Sequence, residues 1–269
     1  GPWPAPGFID AANHAARLFF QQVIRHGSDP KVFALHIEPQ NATLKSVLSV
    51  IIPTLNAEET LTATLAGINE TAAETEIIVA DGGSDDETIR TAEKAGALVI
   101  KSAPGRGGQL AAAAAAANGD WFLFLHADTA LGGGWEKAVK DFITEPENRR
   151  RAGVFRFLLD DAAPAARRIE RLVAWRSRVL GLPYGDQGLL ISRDFYFRLG
   201  GFSNLVLMED VEIVRRIGKK RLRLLDAAVV TSAGRYRRDG YIRRPLKNIF
   251  CLGLYFAGLP PRLIERIYR

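Results

Sequence analysis

The sequence predicts an α/β fold with a doubly wound, mostly parallel sheet and helices on both faces. From residue 47 onward, strand-like and helix-like segments alternate, and this alternation is typical of right-handed crossovers between parallel strands. The segment Trp121–Leu125 is apolar throughout, as a strand covered on both sides requires. The chain has 269 residues, of which 47% are hydrophobic, so it can bury a full core.

The first half of the chain is the more regular one. Its strands are rich in Val and Ile. Its last helix contains a run of alanines and is expected to end at Asn118 and Gly119. Ser84 is the expected N-cap of the second helix. The expected elements are, in order, strand 47–52, helix 58–69, strand 76–80, helix 85–95, strand 98–101, a helix that contains the alanine run 110–117, and a strand from Trp121.

The second half carries more polar signals. A glycine-rich loop is expected over 181–188, and Val211, Val214 and Ile217 mark one face of a helix that begins at Glu209. The other expected elements are strand 153–159, a basic amphipathic helix over 163–180, strand 189–192, strand 227–232 and a tail over 241–269 that alternates apolar and basic residues. A docking helix is the expected structure of that tail, and a membrane-surface role stays open.

The composition of residues 1–46 differs from that of 47–269. These residues are expected to be an N-terminal extension of unknown role, with a helix over 8–25. One cysteine, Cys251, excludes an internal disulfide framework and suits a reducing compartment. No apolar run has the length of a membrane-spanning helix, and the expected location is the cytoplasm, with association with the inner face of the membrane left open.

The net charge is +6, and the excess of basic residues lies in the second half. Basic clusters favour anionic partners, which include phosphates, an acidic membrane surface and nucleic acid. We expect no nucleic-acid partner, because aromatic side chains do not interleave with the basic clusters as stacking platforms would.

Three strands of the first half are followed by polar turns, at 53–58, 81–86 and 126–128. The carboxyl ends of parallel strands meet at one edge of a sheet, where ligands of such folds bind. Glycines at this edge let a ligand approach the backbone, and helix N-termini offer N–H groups to phosphate or to a uracil and ribose. The sequence therefore predicts a binding site at this edge.

His126 and Asp128 are two residues apart at the end of a strand, so their side chains point the same way. Together they could hold one divalent cation, since Asp128 suits Mg²⁺ and His126 suits Mn²⁺. The alternative is that they only cap the next turn. Arg106 opens the alanine helix and could reach an anion at the same edge.

Two other nucleotide sites are disfavoured by the positions of the glycines. A dinucleotide fingerprint at 105–110 would need glycine where Leu110 stands, and it would follow the first strand. A nucleotidyltransferase would have a glycine-rich basic loop after the first strand, where this chain has Pro53–Asn56.

Glu209 and Asp210 open a helix, where a carboxylate is ordinarily structural. The helix dipole would also keep Asp210 ionised and able to accept a proton from a hydroxyl. Arg235 and Tyr236 follow a strand and could clamp a diphosphate or be solvated.

Four segments in order, 50–58, 77–86, 119–128 and 208–212, resemble glycosyltransferase family 2 with its GT-A fold. The resemblance covers 47–269, and it is strongest to a small bacterial branch that has His-Ala-Asp in place of Asp-x-Asp. Some members of this branch are labelled arsenosugar-biosynthesis glycosyltransferases. It implies a nucleotide-binding half over 47–130 and an acceptor-binding half over 131–269 that includes the basic C-terminal helices. The nucleotide pocket would be formed by Pro53, Thr54, Leu55, Asn56, Glu58, Asp81, Gly82, Gly83, Arg106, Ala127 and Asp128.

The resemblance also implies roles for single residues. Asp81 would bind the base, Asp128 would bind Mn²⁺ or Mg²⁺ on the diphosphate, and Asp210 would be the catalytic base. His126 replaces the first acid of the metal motif, so its role as a ligand stays open. The donor sugar or the acceptor would contact Gly185, Asp186, Gln187 and Glu209, and the diphosphate would contact Arg235 and Tyr236.

The implied activity is an inverting transfer of one sugar from a nucleoside-diphosphate sugar, with UDP the expected nucleotide, to an unidentified acceptor hydroxyl. The Gln-x-x-Arg-Trp motif of processive synthases is missing, which favours single transfer. A lipid-linked or small-molecule acceptor, a peripheral membrane contact and a homodimer all stay open. The alternative function is a non-catalytic peripheral membrane protein that uses the basic C-terminal half.

Overall fold

The computed structural model describes residues 48–69 and 75–268, and within them eight strands form one sheet. The strands are β1 Leu48–Thr54, β2 Thr75–Asp81, β3 Leu98–Lys101, β4 Trp121–Phe124, β5 Thr129–Leu131, β6 Ala152–Leu159, β7 Leu189–Ser192 and β8 Leu222–Thr231. Their order is β3-β2-β1-β4-β7-β6-β8-β5. The extension over 1–46, with its expected helix over 8–25, lies outside the described residues.

The strands from β3 to β4 are parallel, and so are β6 and β8. β7 runs antiparallel to both β4 and β6, and β5 runs antiparallel to β8. The predicted α/β fold with a mostly parallel sheet is confirmed. The carboxyl ends of β1, β2 and β4 lie at one edge, and there Thr54 pairs in register with Asp81.

Ten α-helices accompany these strands in the described part of the chain. They are α1 Glu58–Asn69, α2 Thr88–Lys94, α3 Arg106–Ala116, α4 Trp135–Thr144, α5 Pro164–Trp175, α6 Arg193–Arg198, α7 Glu209–Ile217, α8 Gly234–Asp239, α9 Arg243–Phe256 and α10 Pro261–Tyr268. None of the described helices has the length and apolarity that a membrane crossing requires.

Apolar side chains alternate between the two faces of the sheet. Val50 and Ile52 of β1 join one core with α1 and α4, whereas Ile51 joins the opposite core with α3, α6 and α7. Ala113 and Ala114 of α3 are fully buried in that second core, because their small side chains allow the helix to lie close to the sheet. The sheet is therefore covered on both faces, as the apolar sequence of β4 predicts.

Three expected boundaries were wrong. The helix expected over 85–95 begins at Thr88, and Ser84 is not its N-cap, because the Ser84 hydroxyl donates to Asp81 instead. The strand expected over 227–232 begins five residues earlier, at Leu222, whereas the alanine helix begins at Arg106 as expected. The helix expected over 163–180 is α-helical only to Trp175 and continues as a π-helical turn, Arg176–Leu180. The tail forms two helices, α9 and α10, rather than one.

Candidate functional site

Asp81, at the end of β2, organises the edge of the sheet where the polar turns meet. Its carboxylate is fully buried and accepts hydrogen bonds from the Thr54 hydroxyl (3.1 Å), the N–H of Gly83 (2.8 Å), the N–H of Ser84 (2.9 Å) and the Ser84 hydroxyl. Burial opposes ionisation, but these hydrogen bonds lower the pKa of Asp81 below its ordinary value. The four donors use the four lone-pair positions of the carboxylate, so a base that contacts Asp81 would replace a hydroxyl donor.

The turns after β1 and β2 are held together by reciprocal hydrogen bonds. The Asn56 carbonyl oxygen Oδ1 accepts from the N–H of Asp85 (3.0 Å), and the N–H of Asn56 donates to Ser84 Oγ (2.9 Å). Glu58 Oε2 accepts from the N–H of Glu87 (3.0 Å). Asn56 has a φ of 50°, a left-handed conformation that asparagine tolerates. The two predicted nucleotide-binding turns therefore form one rigid surface.

Gln109 supports this surface from below, and sequence reasoning gave it no role. Its side-chain amide is buried and donates to the carbonyl oxygens of Thr54 (2.7 Å) and Ala80 (2.8 Å). A Cβ on Gly82 would lie 3.1 Å from this amide, so the glycine allows the close approach. The signal in the sequence was a lone polar residue at the start of an alanine run.

The remaining residues of the predicted nucleotide pocket lie around the same edge. Pro53 lines a small apolar cavity of about 30 Å³ that reaches His126. Leu55 is 51% exposed at the rim. The carbonyl oxygen of Ala127 accepts from the Thr64 hydroxyl (2.9 Å), which fixes the turn after β4 to α1.

His126 contacts Arg106 at the end of β4. Arg106 Nη1 lies 3.3 Å from His126 Nε2, and because a guanidinium only donates, Nε2 accepts and carries no proton. Burial and the positive charge of Arg106 lower the pKa of His126 to about 4. The imidazole is therefore neutral at physiological pH.

Asp128 pairs with a cation from the second half of the domain. Its Oδ2 lies 3.2 Å from Arg235 Nη2. The neighbouring Thr129 hydroxyl bonds to the Thr231 hydroxyl at 3.0 Å, so the turn is fixed to the end of β8. The described residues contain no cluster of three or more His, Cys, Asp or Glu side chains suited to a metal ion. A cation held here would take most of its ligands from a bound diphosphate and water, which is the usual coordination of Mg²⁺.

Asp210 lies in the first turn of α7 and faces the same site. Its Oδ2 accepts from the N–H of Gly185 (2.7 Å). A Cβ on Gly185 would lie 2.5 Å from His126 Nε2 and 3.4 Å from Asp210 Oδ2, so only glycine fits between them. The predicted glycine-rich loop thus brings together two side chains that are far apart in the sequence.

Glu209 is buried behind Asp210. Its Oε1 lies 3.4 Å from Arg106 Nε, and its Oε2 is buried without a hydrogen-bond partner in the described structure. Burial raises the pKa of Glu209 to about 7, although the charge of Arg106 opposes the shift. Glu209 therefore contacts Arg106 and does not line the cleft described below.

Asp186 and Gln187 have different environments, although the sequence suggested the same role for both. Asp186 Oδ1 is buried without a partner in the described structure, and burial raises the pKa of Asp186 to about 6, opposed by Arg176. The Gln187 amide donates to the Phe155 carbonyl (3.0 Å) and accepts from the Ser177 hydroxyl (2.7 Å). Gln187 thus holds the loop in place, whereas Asp186 lines the cleft described next.

A cleft of about 110 Å³ connects these side chains. Tyr236 is one wall, stacked on Tyr241 with ring centroids 5.8 Å apart, and burial raises its pKa. The ionisable lining residues other than tyrosines are Arg106, Asp128, Asp186, Asp210, Arg235 and Arg244, together with the neutral His126. Three guanidiniums and three carboxyl groups line one cleft, which suits a substrate that carries both phosphate and hydroxyl groups.

The comparisons with known proteins concern the domain that carries this cleft. Residues 49–175 match the model of glycosyl transferase family 2. Over these residues the chain is similar to family 2 glycosyltransferases. No curated protein sequence matches the chain.

Solved structures share the GT-A fold of this glycosyltransferase domain. TarS of S. aureus superposes with a TM-score of 0.56 at 18% identity, over 82% of this chain and 42% of TarS. TarS 1-349 in complex with UDP-GlcNAc gives a TM-score of 0.55 at 18% identity, over 82% and 70% of the two chains. GalNAc-T7 with UDP, GalNAc and Mn²⁺ gives a TM-score of 0.52 at 17% identity, over 70% of this chain and 44% of GalNAc-T7. The chain thus spans less than half the length of TarS.

The glycosyltransferase domain has cleft residues that sequence reasoning missed. Arg244 is buried and donates to the Tyr268 hydroxyl (2.6 Å) and to Asp239 Oδ2 (3.2 Å). Asn248, one turn further along α9, has a buried Oδ1 without a partner in the described structure. The cleft is lined by Arg244, Tyr268 and Asn248, but not by Asp239. The available signal was weak, since they are single polar residues in an apolar and basic tail.

Proposed function

We propose that the domain transfers one sugar from a nucleoside-diphosphate sugar to an acceptor hydroxyl by a single inverting displacement. One observation carries the proposal. Asp128, from the end of β4, and Asp210, from the start of α7, line one cleft, and Arg106 and Arg235 lie beside them. A carboxylate for a cation, a carboxylate for a proton and two guanidiniums for phosphate are the groups that this reaction needs.

The donor nucleotide is assigned to the surface formed by the turns 53–58 and 81–86. Its hydrogen-bond network and the exposed Leu55 provide a preformed rim for a base and ribose. UDP is the expected nucleotide. The proposal gains support from TarS, which was solved with UDP and with UDP-GlcNAc, and from GalNAc-T7, which was solved with UDP.

A divalent cation, Mn²⁺ or Mg²⁺, fits the side chains at the end of β4. Asp128 supplies a hard carboxylate oxygen, and we assign it as the metal ligand. His126 is neutral, as a ligand must be, but its Nε2 already accepts from Arg106. Ligation through that nitrogen requires Arg106 to move. A bound cation would stabilise the negative charge on the departing diphosphate.

The chemical step uses Asp210 as the base. The acceptor oxygen attacks the anomeric carbon, and its proton passes to Asp210. The bond from the anomeric carbon to the phosphate oxygen breaks, and its electron pair leaves with the nucleoside diphosphate. Arg235, which pairs with Asp128, and Arg106, which lines the same cleft, can stabilise the charge of the leaving group. The N–H of Gly185 orients the carboxylate for proton transfer.

The acceptor is assigned to the wall of the cleft that α9 and the loop over 181–188 form. Asp186 and Asn248 each present a buried oxygen without a partner in the described structure, and hydroxyl groups of an acceptor would satisfy both. Tyr184 and Tyr236 provide aromatic surfaces beside them. An acceptor with several hydroxyls suits this wall.

The deciding experiment is calorimetric titration of UDP and of GDP into the full chain, with and without Mn²⁺, repeated on Asp128→Ala. We expect UDP binding that strengthens with Mn²⁺ and loses this dependence in Asp128→Ala. Asp141→Ala removes an exposed carboxylate of α4 and is the matched control. If neither nucleotide binds under any condition, the proposed function is wrong, and the membrane-binding alternative becomes the leading one.

A further inference from the structure

Helix α9 has an exposed apolar stripe. The stripe consists of Ile242, Leu246, Ile249 and Phe250, which follow one another at intervals of four, three and one residues and so share one face. α10, which packs beside α9, adds Leu263 and Ile267 at an interval of four. These six side chains, here called the docking face, are between 43% and 77% exposed. Large apolar side chains in such a group mark an interaction surface.

The opposite side of α9 is already in use. Arg244, Asn248 and Leu252 line the cleft, and Cys251 is buried with Ile264 of α10. The helix therefore has one face toward the active site and one unpartnered apolar face. The residues through which α9 packs against the domain are not those of the docking face. Folding of the domain therefore does not account for the exposed stripe.

The charges around the docking face are almost all positive. Residues 242–268 contain five basic side chains, at positions 243, 244, 247, 262 and 266, and one acidic side chain, Glu265. Of the basic residues, Arg243, Arg262 and Arg266 are exposed. Apolar side chains flanked by arginine and lysine fit the interface of a bilayer with anionic lipids, where the chains enter the acyl boundary and the cations meet the headgroups.

We propose that the docking face binds the surface of an anionic lipid bilayer. A second copy of the chain is a poorer occupant, because two such faces would bring like charges together. The bilayer surface would then lie next to the cleft, since α9 contributes to both. If the proposed function also holds, the polar head of an amphiphilic acceptor could reach Asp210 while its tail stays in the bilayer. The docking itself does not depend on that function.

The test is co-sedimentation of the full chain with vesicles of phosphatidylcholine alone and of phosphatidylcholine mixed with phosphatidylglycerol. We expect binding only to the anionic vesicles, weakened by added salt. Leu246→Gln/Phe250→Gln should reduce the partition coefficient at least tenfold, by roughly the loss of two buried apolar side chains. Leu98→Gln/Leu224→Gln is the matched control, because it changes two leucines on β3 and β8 that are about half exposed.

A second pair of variants separates local charge from net charge. Arg262→Gln/Arg266→Gln should reduce partition by about 5-fold for each residue removed. Arg149→Gln/Arg150→Gln removes the same charge from exposed residues outside the docking face and should leave partition nearly unchanged. Circular dichroism melts establish that each variant is folded, and UDP titration reports the nucleotide site separately.

Three results would overturn the proposal. The first is equal partition of the face variants and their controls, and the second is no binding to anionic vesicles. The third is a homodimer in light scattering that Leu246→Gln/Phe250→Gln converts to a monomer, without vesicle binding by either form. The third result would assign the docking face to another copy of the chain.

Discussion

Arg106 affects the protonation of two neighbours. With burial, its charge lowers the pKa of His126 to about 4, and it opposes the burial that raises the pKa of Glu209 to about 7. Its own pKa is raised, first by the charge of Glu209. The Arg106 guanidinium thus helps to keep the His126 imidazole neutral. It also contacts the Glu209 carboxyl group, which is about half protonated at neutral pH.

The first prediction concerns the pH dependence of stability. Glu209 has an ordinary pKa of 4.5 and a folded-state pKa of about 7, so between these values the folded state keeps a proton that the unfolded state has lost. Its contribution to the free energy of unfolding is full below the lower value and falls as the pH rises through this window. Glu209→Gln should therefore gain stability relative to the parent between pH 4.5 and 7.

Chemical denaturation of both proteins at several pH values, without metal, measures this difference. Glu93→Gln, which removes an exposed carboxylate of α2, is the matched control. A difference between Glu209→Gln and the parent that stays constant across the window would contradict the prediction, since the ion pair with Arg106 alone would give a constant offset.

The second prediction concerns the base. Asp210→Asn should lower the rate of sugar transfer by about 10²–10⁴-fold, because the amide cannot accept the proton of the acceptor. UDP affinity should change little, since the nucleotide is assigned to the turns after β1 and β2. The asparagine oxygen can still accept from the N–H of Gly185, so the loop should keep its position. Single-turnover kinetics and UDP titration measure the two effects.

An equal loss of transfer rate and UDP affinity would contradict the assignment of Asp210 as the base. Asp141→Asn, on the exposed side of α4, is the matched control and should leave both quantities unchanged.

At the scale of the elements, the start of α3 shows how tightly the site is built. A Cβ on Gly107 would lie 2.1 Å from the Ser203 carbonyl oxygen and 2.8 Å from the backbone nitrogen of Leu205. Gly107 also donates its N–H to the Leu205 carbonyl at 3.0 Å. Neither partner is a flexible side chain, so the helix that carries Arg106 is fixed against the loop before α7.

The third prediction compares two glycines within helices. Gly107→Ala should destabilise the domain by about 1–3 kcal/mol or more, because backbone atoms must move apart. Gly253→Ala should stabilise it by about 0.5–1 kcal/mol, since a Cβ there meets nothing within 4 Å and alanine has the higher helix propensity. Denaturant unfolding measures both. Stabilisation by both changes would show that the contact at Ser203 can relax.

Element types could be predicted because local patterns determine them. The apolar runs of β1, β2 and β4 and the alanine run of α3 are recognisable in any context. The boundaries of the elements could not be predicted, because they depend on tertiary hydrogen bonds. Ser84 has the residue type of an N-cap, yet its hydroxyl donates to Asp81, and α2 begins at Thr88.

At the scale of the whole molecule, the edge with the three polar turns could be predicted, because parallel strands β1, β2 and β4 place their carboxyl ends together. The opposite wall of the cleft could not be predicted from the sequence. β7 runs antiparallel beside β4, and α9 returns to the cleft more than 100 residues after it. No local pattern specifies such pairings, which is why Arg244 and Asn248 were not anticipated.

The fourth prediction concerns the stability of the whole domain. UDP with Mn²⁺ at about 100 times its Kd should stabilise the folded state by about 2.7 kcal/mol, which is about 5–10 °C in Tm for a domain of this size. Asp128→Ala should lose the part of the shift that depends on Mn²⁺. Differential scanning calorimetry measures the shift. An equal shift from Mn²⁺ alone would argue against a site that the diphosphate completes.

The ion pair between Asp128 and Arg235 has a consequence for ligand entry. The guanidinium already balances the carboxylate. If the proposed function holds, an arriving metal nucleotide would therefore replace one counterion of Asp128 by another, and the displaced arginine would pair with the diphosphate that the metal brings. Loading would thus be an exchange of partners in which neither Asp128 nor Arg235 loses a counterion.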